Sequence, residues 1–129
     1  MNNRFKFRVW DKRLNRYLGK NDPTQILLEN GNLAYLDDEG MKFYEVEFCT
    51  GLKDKNGKLI YEGDICIPAK DMADNAGEVY RAESGAYFIK GRMKSGMEYD
   101  FGIYWHHYMY EIIGNIQENA DLLEVKNDS

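Results

Sequence analysis

Apolar and polar residues alternate along most of the chain, which predicts β-strands. Phe5, Phe7 and Val9 alternate with basic or amphipathic residues, the pattern of a strand with one solvated face. Residues 97–105 alternate in the same way, with apolar side chains at the odd positions. Further β-prone stretches lie at 43–48, 59–67, 78–82, 87–90 and 110–116.

Turn-forming residues separate these stretches. An Asn-Gly pair predicts a hairpin between residues 25–28 and 33–36, and Glu83-Ser84-Gly85 predicts another between 78–82 and 87–90. A second Asn-Gly pair, Asn56-Gly57, accounts for the 54–57 segment as a turn rather than a calcium loop. Asn119 is a favourable helix cap and predicts a short helix over 120–125.

Short strands joined by turns predict a mainly β fold, with a small SH3-like barrel formed by residues 50–118. Residues 1–49 supply an added N-terminal sheet or hairpin, and residues 119–129 form the short C-terminal helix and tail. A chain of 129 residues suits one domain, and no repeat or linker divides it.

The charge of the chain is unevenly distributed. The net charge is −5, but residues 1–20 carry seven Lys or Arg against one acidic residue, Asp11. This segment therefore has a charge of +6 and the remainder −11. Such asymmetry predicts either a basic face for an acidic partner or a basic segment that lies on the acidic body.

The basic segment also contains aromatic residues, so it is the candidate contact site. Cations beside aromatic rings can follow a nucleic-acid backbone and stack on bases. Two other interpretations rank above this one: a solvated face over a core row, and self-association of the +6 segment with the −11 surface of a second copy. The residues concerned are Arg4, Lys6, Arg8, Trp10, Lys12, Arg13, Arg16 and Tyr17.

Candidates for catalysis and metal binding are weaker. His106 and His107 would point to opposite faces of a strand, and nothing brings them near Cys49 or Cys66. Ser84 and Ser95 lie in glycine-adjacent turns, which is ordinary turn chemistry. We therefore predict no catalytic residue, no metal site and no cofactor.

The two cysteines are too few for a disulfide framework, although one bridge between them remains open. No apolar run is long enough to cross a membrane, and the N-terminus lacks the features of a signal peptide. These features predict a cytoplasmic protein with reduced thiols.

Three sequence blocks resemble the YopX family of phage and prophage proteins. They are KFRVWD at 6–11, TGLKDKNGKLIYEGDI at 50–65, and YEIIGNIQEN at 110–119 followed by Leu122-Leu123. The resemblance spans essentially the whole chain. It implies a small β-rich domain encoded by a phage, a prophage or another mobile element of a bacterium, and it implies no known activity or catalytic residue.

Several residues of these blocks have a predicted structural role. Trp10 should pack as an anchor and Asp11 should cap the following turn, while Gly51 and Gly63 should hold backbone conformations closed to larger residues. The full set of predicted structural residues is Trp10, Asp11, Gly51, Asn56, Gly57, Gly63, Asp64, Gly114 and Asn115.

Together these observations predict a non-enzymatic accessory protein of a mobile element that binds a protein or assembles with itself. Its partner would be a second copy or a host or phage protein. The alternative is a nucleic-acid-binding regulator that uses the basic segment. A hydrolase or metal-dependent enzyme is the weakest hypothesis.

Overall fold

The computed structural model describes residues 6–32, 42–67, 76–92 and 96–124. The prediction of a mainly β protein is confirmed, while the SH3-like form of its barrel and the single-domain boundaries stay predictions. The described strands are β1 (Phe7–Asp11), β2 (Arg16–Tyr17), β3 (Tyr44–Lys53), β4 (Leu59–Tyr61), β5 (Asp64–Ile67), β6 (Gly77–Arg81), β7 (Tyr87–Arg92), β8 (Glu98–Gly102) and β9 (Glu111–Asn115).

The first sheet is antiparallel, with the strand order β2-β1-β3-β4. β1 pairs along its whole length with the first part of β3, where Val9 lies opposite Val46. The register of β3 against β4 shifts between Cys49 and Lys53. Gly51 lies within that shift at φ = +81°, a left-handed conformation that glycine adopts without steric cost.

The second sheet is also antiparallel, with the strand order β8-β7-β6-β5-β9. β6 and β7 form the hairpin predicted around residues 83–85, with Val79 opposite Ile89. Gly85 occupies the turn at φ = +90°. This hairpin is confirmed, and β8 continues the sheet to an edge.

Residues 59–67 are two strands, so the prediction of one continuous strand is wrong. Glu62 and Gly63 form a turn between β4 and β5, and Gly63 has φ = +84°. The carboxylate of Asp64 accepts a hydrogen bond from the backbone N–H of Tyr61 and closes the turn (2.8 Å). Because β4 and β5 belong to different sheets, this turn is the joint between the sheets.

Both faces of β1 are covered, which contradicts the predicted solvated face. Val9 is fully buried on one side, and Trp10 is only 4% exposed on the other. The ring of Tyr17 packs edge-on against Trp10, with 4.9 Å between centroids. Alternation identified the strand correctly but could not reveal what the rest of the chain places over its second face.

The segment predicted as the first arm of a hairpin, residues 25–28, is helical. The helix α1 spans Pro23–Leu27, and the side chain of Asp22 caps it by accepting from the backbone N–H of Thr24. Proline at the first helical position is favourable because it has no N–H to satisfy. A π-helical turn, Leu28–Asn32, follows directly. The second arm, residues 33–36, lies outside the described residues.

Two further elements differ from prediction. The strand expected over residues 97–105 is only β8, followed by 3₁₀ turns at Ile103–Trp105 and His107–Met109. The C-terminal helix is a single 3₁₀ turn, Ala120–Leu123, and the side chain of Asn119 makes no cap hydrogen bond to it. That side chain instead accepts from the backbone N–H of Asn115 (3.2 Å).

The main apolar core is formed mostly by the second sheet and the segment after β8. Ile60 of the first sheet packs with side chains of the second sheet and of the turn that follows it. Each fully buried aliphatic side chain stabilises the fold by about 1.5–3 kcal/mol. The core consists of Ile60, Cys66, Val79, Ile89, Tyr99, Ile103 and Tyr110. Within the described ranges, no helix has the length and apolar character needed to cross a bilayer.

Candidate functional site

The eight predicted contact residues do not form one exposed face. Arg8, Trp10 and Tyr17 are buried or half-buried in the first sheet. Arg4 lies outside the described residues. The exposed members are Lys6, Lys12, Arg13 and Arg16. The basic segment is thus divided between the interior and the surface.

Arg8 is held by carboxylates from both sheets. Its Nε donates to Glu47 Oε1 at 2.7 Å, and its Nη2 lies 2.9 Å from Asp64 Oδ1. The same Nη2 donates to the backbone carbonyl of Glu62 at 3.1 Å. The Arg8 side chain is 22% exposed, whereas both carboxylates are almost fully buried. The positive charge of Arg8 is therefore neutralised by carboxylates within the fold.

Two tyrosine rings enclose the Arg8 guanidinium. Its central carbon lies 4.8 Å from the ring centroid of Tyr17 and 4.9 Å from that of Tyr61. The hydroxyl of Tyr17 donates to Glu47 Oε1 at 2.8 Å. Burial raises the pKa of Asp64, and the Arg8 guanidinium opposes that shift. We call Arg8, Glu47, Asp64, Tyr17 and Tyr61 the arginine clamp.

The turn after β1 is organised by Asp11. Its Oδ1 accepts from the backbone N–H groups of Arg13 and Leu14, at 2.9 and 3.2 Å. Arg13 lies over the rings of Phe43 and Tyr44, so part of its cationic surface is covered. Asp11 therefore caps this turn, the role that the sequence suggested for it.

Close approach explains two of the predicted glycines. A Cβ at Gly63 would collide with Glu47 Oε2 of the arginine clamp, and a Cβ at Gly114 would meet Asn119 Oδ1 at 2.6 Å. Asn115 lies beside this second contact, and its Oδ1 accepts from the backbone of Gln117. At both glycines, therefore, another side chain packs so closely against the backbone that a Cβ would not fit.

Asp54 has a role that its sequence position did not indicate, where it was expected only to be a turn residue. Asp54 is buried, and its Oδ1 accepts from the backbone N–H groups of Asn56 and Lys58, both at 2.9 Å. Its Oδ2 accepts from the N–H of Ile112 on β9 at 3.1 Å. One carboxylate thus holds the Asn56-Gly57 turn and attaches it to the second sheet.

The histidines and cysteines do not assemble into a reactive centre among the described residues. His107 Nδ1 lies 2.6 Å from the backbone carbonyl of Lys53, while His106 is exposed. Cys49 and Cys66 are both free and buried, and burial raises the pKa of each thiol. In the described part of the chain, no group of three or more His, Cys, Asp or Glu side chains could hold a metal ion.

An exposed group of large apolar side chains follows the edge of the second sheet. Its members lie at the residue before β8, in β8 and in the two 3₁₀ turns after it, and Trp105 is 79% exposed. Concentrations of exposed apolar residues are unusual on monomeric proteins and mark interaction sites. We call them the aromatic patch, which consists of Met97, Phe101, Tyr104, Trp105, Tyr108 and Met109.

The aromatic patch is fixed by neighbouring backbone and rings. The hydroxyl of Tyr104 accepts from the backbone N–H of Tyr87 on β7 at 2.9 Å. Phe101 stacks on the buried Tyr99, with 5.7 Å between centroids, and Tyr108 packs edge-on against His107. These contacts restrain three of the six side chains and so reduce the entropy that those side chains lose when a partner binds.

Alternation concealed the aromatic patch. It placed Phe101 and Trp105 in the same row as Tyr99 and Ile103, and only the latter two are buried. The strand ends at Gly102, so the following turns direct side chains away from the core row. The sequence did contain one indication of the patch, the number of aromatic residues at 104–110. One face of one short strand cannot hold that many rings.

A family model described as YopX protein matches residues 6–124 of the chain. A comparison with curated proteins found no match.

Proposed function

The chain belongs to the YopX family, and from that premise we propose that it is a non-enzymatic protein-binding module whose contact surface is the aromatic patch. The observation that carries the proposal is the exposure of Trp105 together with five other large apolar side chains within residues 97–109. Tryptophan and tyrosine are enriched at binding hot spots because they bury a large rigid surface and retain a polar group.

The first partner to test is a second copy of the chain. The sequence predicted self-assembly from the charge asymmetry, but the arginine clamp uses Arg8 within its own chain. Association through the aromatic patch would therefore be driven by burial of apolar surface. In the other form of this proposal, the aromatic patch binds a protein of different sequence.

Sedimentation velocity over a range of protein concentrations tests self-assembly directly. We expect an oligomer that dissociates in Trp105→Ser and in Phe101→Ser. The matched control is Leu14→Ser, since Leu14 is also a large exposed apolar residue but lies in the turn after β1. Loss of the oligomer in the patch variants alone supports the proposal, and equal loss in the control contradicts it.

Ionic strength separates the two possible driving forces. An assembly held by apolar contacts should persist or strengthen in 1 M salt, whereas exposed ion pairs are screened over roughly 3 Å at that concentration. Should the protein be monomeric at all concentrations, the self-assembly form fails. The remaining form then requires a bacterial protein that is retained by the wild type and Leu14→Ser but not by Trp105→Ser.

The alternative function is nucleic-acid binding, and the exposure of Lys6, Lys12 and Arg16 favours it. Titration with labelled DNA and RNA across a salt series would give an affinity that falls linearly on logarithmic axes if phosphates are contacted. Charge reversal should be made at Lys12 and Arg16, because reversal of Arg8 would break the arginine clamp. Binding that survives both reversals would contradict this function.

We also propose that the protein is encoded by a phage, prophage or other mobile element and acts in the bacterial cytoplasm. Family membership supports the first part. Two buried cysteines without a disulfide are compatible with a reducing compartment.

A further inference from the structure

A groove of about 290 Å³ lies beside the first residues of β1 and the helix α1. Its position is on the first sheet, whereas the aromatic patch follows β8 of the second. The volume is close to the lower limit for small-molecule sites. Any ligand of this groove is therefore independent of the protein-binding function proposed above.

Gln25 of α1 provides the strongest evidence for a ligand. The residue is only 5% exposed, and its Nε2 donates to Glu29 Oε1 at 3.1 Å, which sets the orientation of the amide. Its Oε1 is buried and has no hydrogen-bond partner among the described residues. A buried carbonyl oxygen without a donor is unfavourable. Because Gln25 lines the groove, a ligand seated there that supplies an N–H or O–H group would satisfy this oxygen.

The groove also carries positive charge. Lys6 and Lys20 line it, both are exposed, and neither forms an ion pair with another described residue. Arg8 lies at the groove too, but Glu47 and Asp64 neutralise it. Glu29 also lines the groove and carries the opposite charge. Two lysines against this one carboxylate leave a net positive charge, which favours a ligand with an anionic group.

Apolar surface completes the lining. Phe7, Leu18 and Tyr61 also line the groove. Tyr61 is held in place by the guanidinium of Arg8. A site of this composition accommodates a compact apolar or planar group and fixes its orientation by a few polar contacts.

We propose that this groove binds a small organic anion that carries a hydrogen-bond donor. Lys6 and Lys20 attract the anionic group, Gln25 Oε1 accepts from the donor, and Phe7 and Leu18 contact the apolar part. A phosphate or a carboxylate could supply the anion, so the two sources form separate arms of the test. A water molecule on Gln25 Oε1 is the competing explanation.

Two-dimensional NMR titration tests the proposal on the full chain. Adenosine 5′-monophosphate represents the phosphate arm and N-acetyltryptophan the carboxylate arm, and each carries N–H donors. Inorganic phosphate supplies an anion without the apolar body, and adenosine supplies donors without the anion. We expect at least one complete probe to bind with a Kd of about 1 mM or lower and to shift the Gln25 side-chain amide signal.

Three variants identify the groove as the site. Gln25→Leu removes the acceptor with little change in volume, and the double variant Lys6→Gln with Lys20→Gln removes the charge. Each should weaken binding by about tenfold or more. Lys58→Gln is the matched control because Lys58 is an exposed lysine outside the groove lining. Circular dichroism verifies that each variant is folded.

Binding of either complete probe alone would support the proposal and would identify the anion as a phosphate or a carboxylate. The proposal is overturned if neither complete probe binds with a Kd of about 1 mM or lower, if N-acetyltryptophan fails to bind and inorganic phosphate binds as tightly as the nucleotide, or if Gln25→Leu leaves binding unchanged. None of these results bears on the aromatic patch, whose variants are assayed by sedimentation.

Discussion

Arg8 Nη2 lies 2.9 Å from Asp64 Oδ1, and this ion pair connects the two sheets. Arg8 is on β1 of the first sheet, while Asp64 begins β5 of the second. The pair forms beside the turn that joins the sheets, where the backbone carbonyl of Glu62 also accepts from Arg8. The arginine clamp therefore fixes the arrangement of the sheets at the point where the chain passes between them.

Replacement of Arg8 by methionine should strongly destabilise the protein. It leaves the carboxylates of Glu47 and Asp64 buried without their cation, and breaking a buried pair costs about 3–5 kcal/mol. Partial exposure of Arg8 places the expected loss at about 2–4 kcal/mol, measured by urea unfolding. Arg16→Met is the control, since Arg16 is exposed and its loss should change stability by less than about 0.5 kcal/mol.

The arginine clamp also predicts that two further substitutions restore part of the stability lost in Arg8→Met. Adding Glu47→Gln and Asp64→Asn to the Arg8→Met protein removes the unpaired charges, so part of the lost free energy of unfolding should return. If the triple variant were as unstable as the sum of its separate changes, the three residues would not act as one network.

Gly63→Ala and Gly57→Ala separate backbone strain from steric collision. Both glycines have φ near +80°, but a Cβ at Gly57 meets nothing within 4 Å, whereas one at Gly63 meets Glu47. We expect a loss of about 1 kcal/mol for Gly57→Ala, from strain alone, and of about 3 kcal/mol or more for Gly63→Ala. Equal losses in thermal or urea unfolding would contradict the collision.

Stability should fall at alkaline pH because buried tyrosines resist ionisation. Burial raises the pKa of Tyr99 to about 12 from an ordinary value of 10.0. Between these two pH values the folded protein binds more protons than the unfolded chain, so the free energy of unfolding decreases as pH rises. One such residue contributes a slope of up to about 1.4 kcal/mol per pH unit.

Tyr99→Phe should reduce this alkaline slope, whatever its effect at neutral pH. Urea unfolding at several pH values between 8 and 11 measures the slope, and tyrosinate absorbance reports ionisation directly. The pKa values of Tyr17, Tyr61 and Tyr110 are also raised by burial, so some slope should remain in the variant. An unchanged slope would mean that Tyr99 titrates normally.

Both cysteines should be unreactive in the folded protein. Cys49 and Cys66 are buried, and their raised thiol pKa values disfavour the nucleophilic thiolate. Labelling by Ellman's reagent at neutral pH should be at least about 100-fold slower than in urea, where the thiols are exposed. Rapid labelling of one thiol under native conditions would restore the hypothesis of a cysteine nucleophile.

Features determined by neighbouring residues were predictable from the sequence. The β6–β7 hairpin follows from a glycine-containing turn between two β-prone stretches, and Asp11 caps the turn that comes directly after it. The start of α1 also had a local signal, Asp22 followed by Pro23, but the apolar run after it was interpreted as a strand. Short apolar runs carry too little periodicity to separate the two structures.

Features determined by distant residues were not predictable in this way. Arg8 looked like a surface cation because its partners Glu47 and Asp64 lie 39 and 56 positions away in the chain. Trp105 fell in one alternating row with Tyr99 and Ile103 because alternation continues beyond the point where β8 ends. In both cases the pattern identified a local conformation but not the tertiary neighbours that decide burial.

The contrast between the two tryptophans has a practical consequence. Trp10 is 4% exposed within the first sheet, and Trp105 is 79% exposed in the aromatic patch. The sequence contains no other tryptophan, so each can be observed alone by fluorescence after the other is changed to phenylalanine. Emission from Trp10 would follow unfolding of the first sheet, and emission from Trp105 would follow occupation of the surface. The native chain thus contains two intrinsic optical probes that distinguish folding from association without any attached dye.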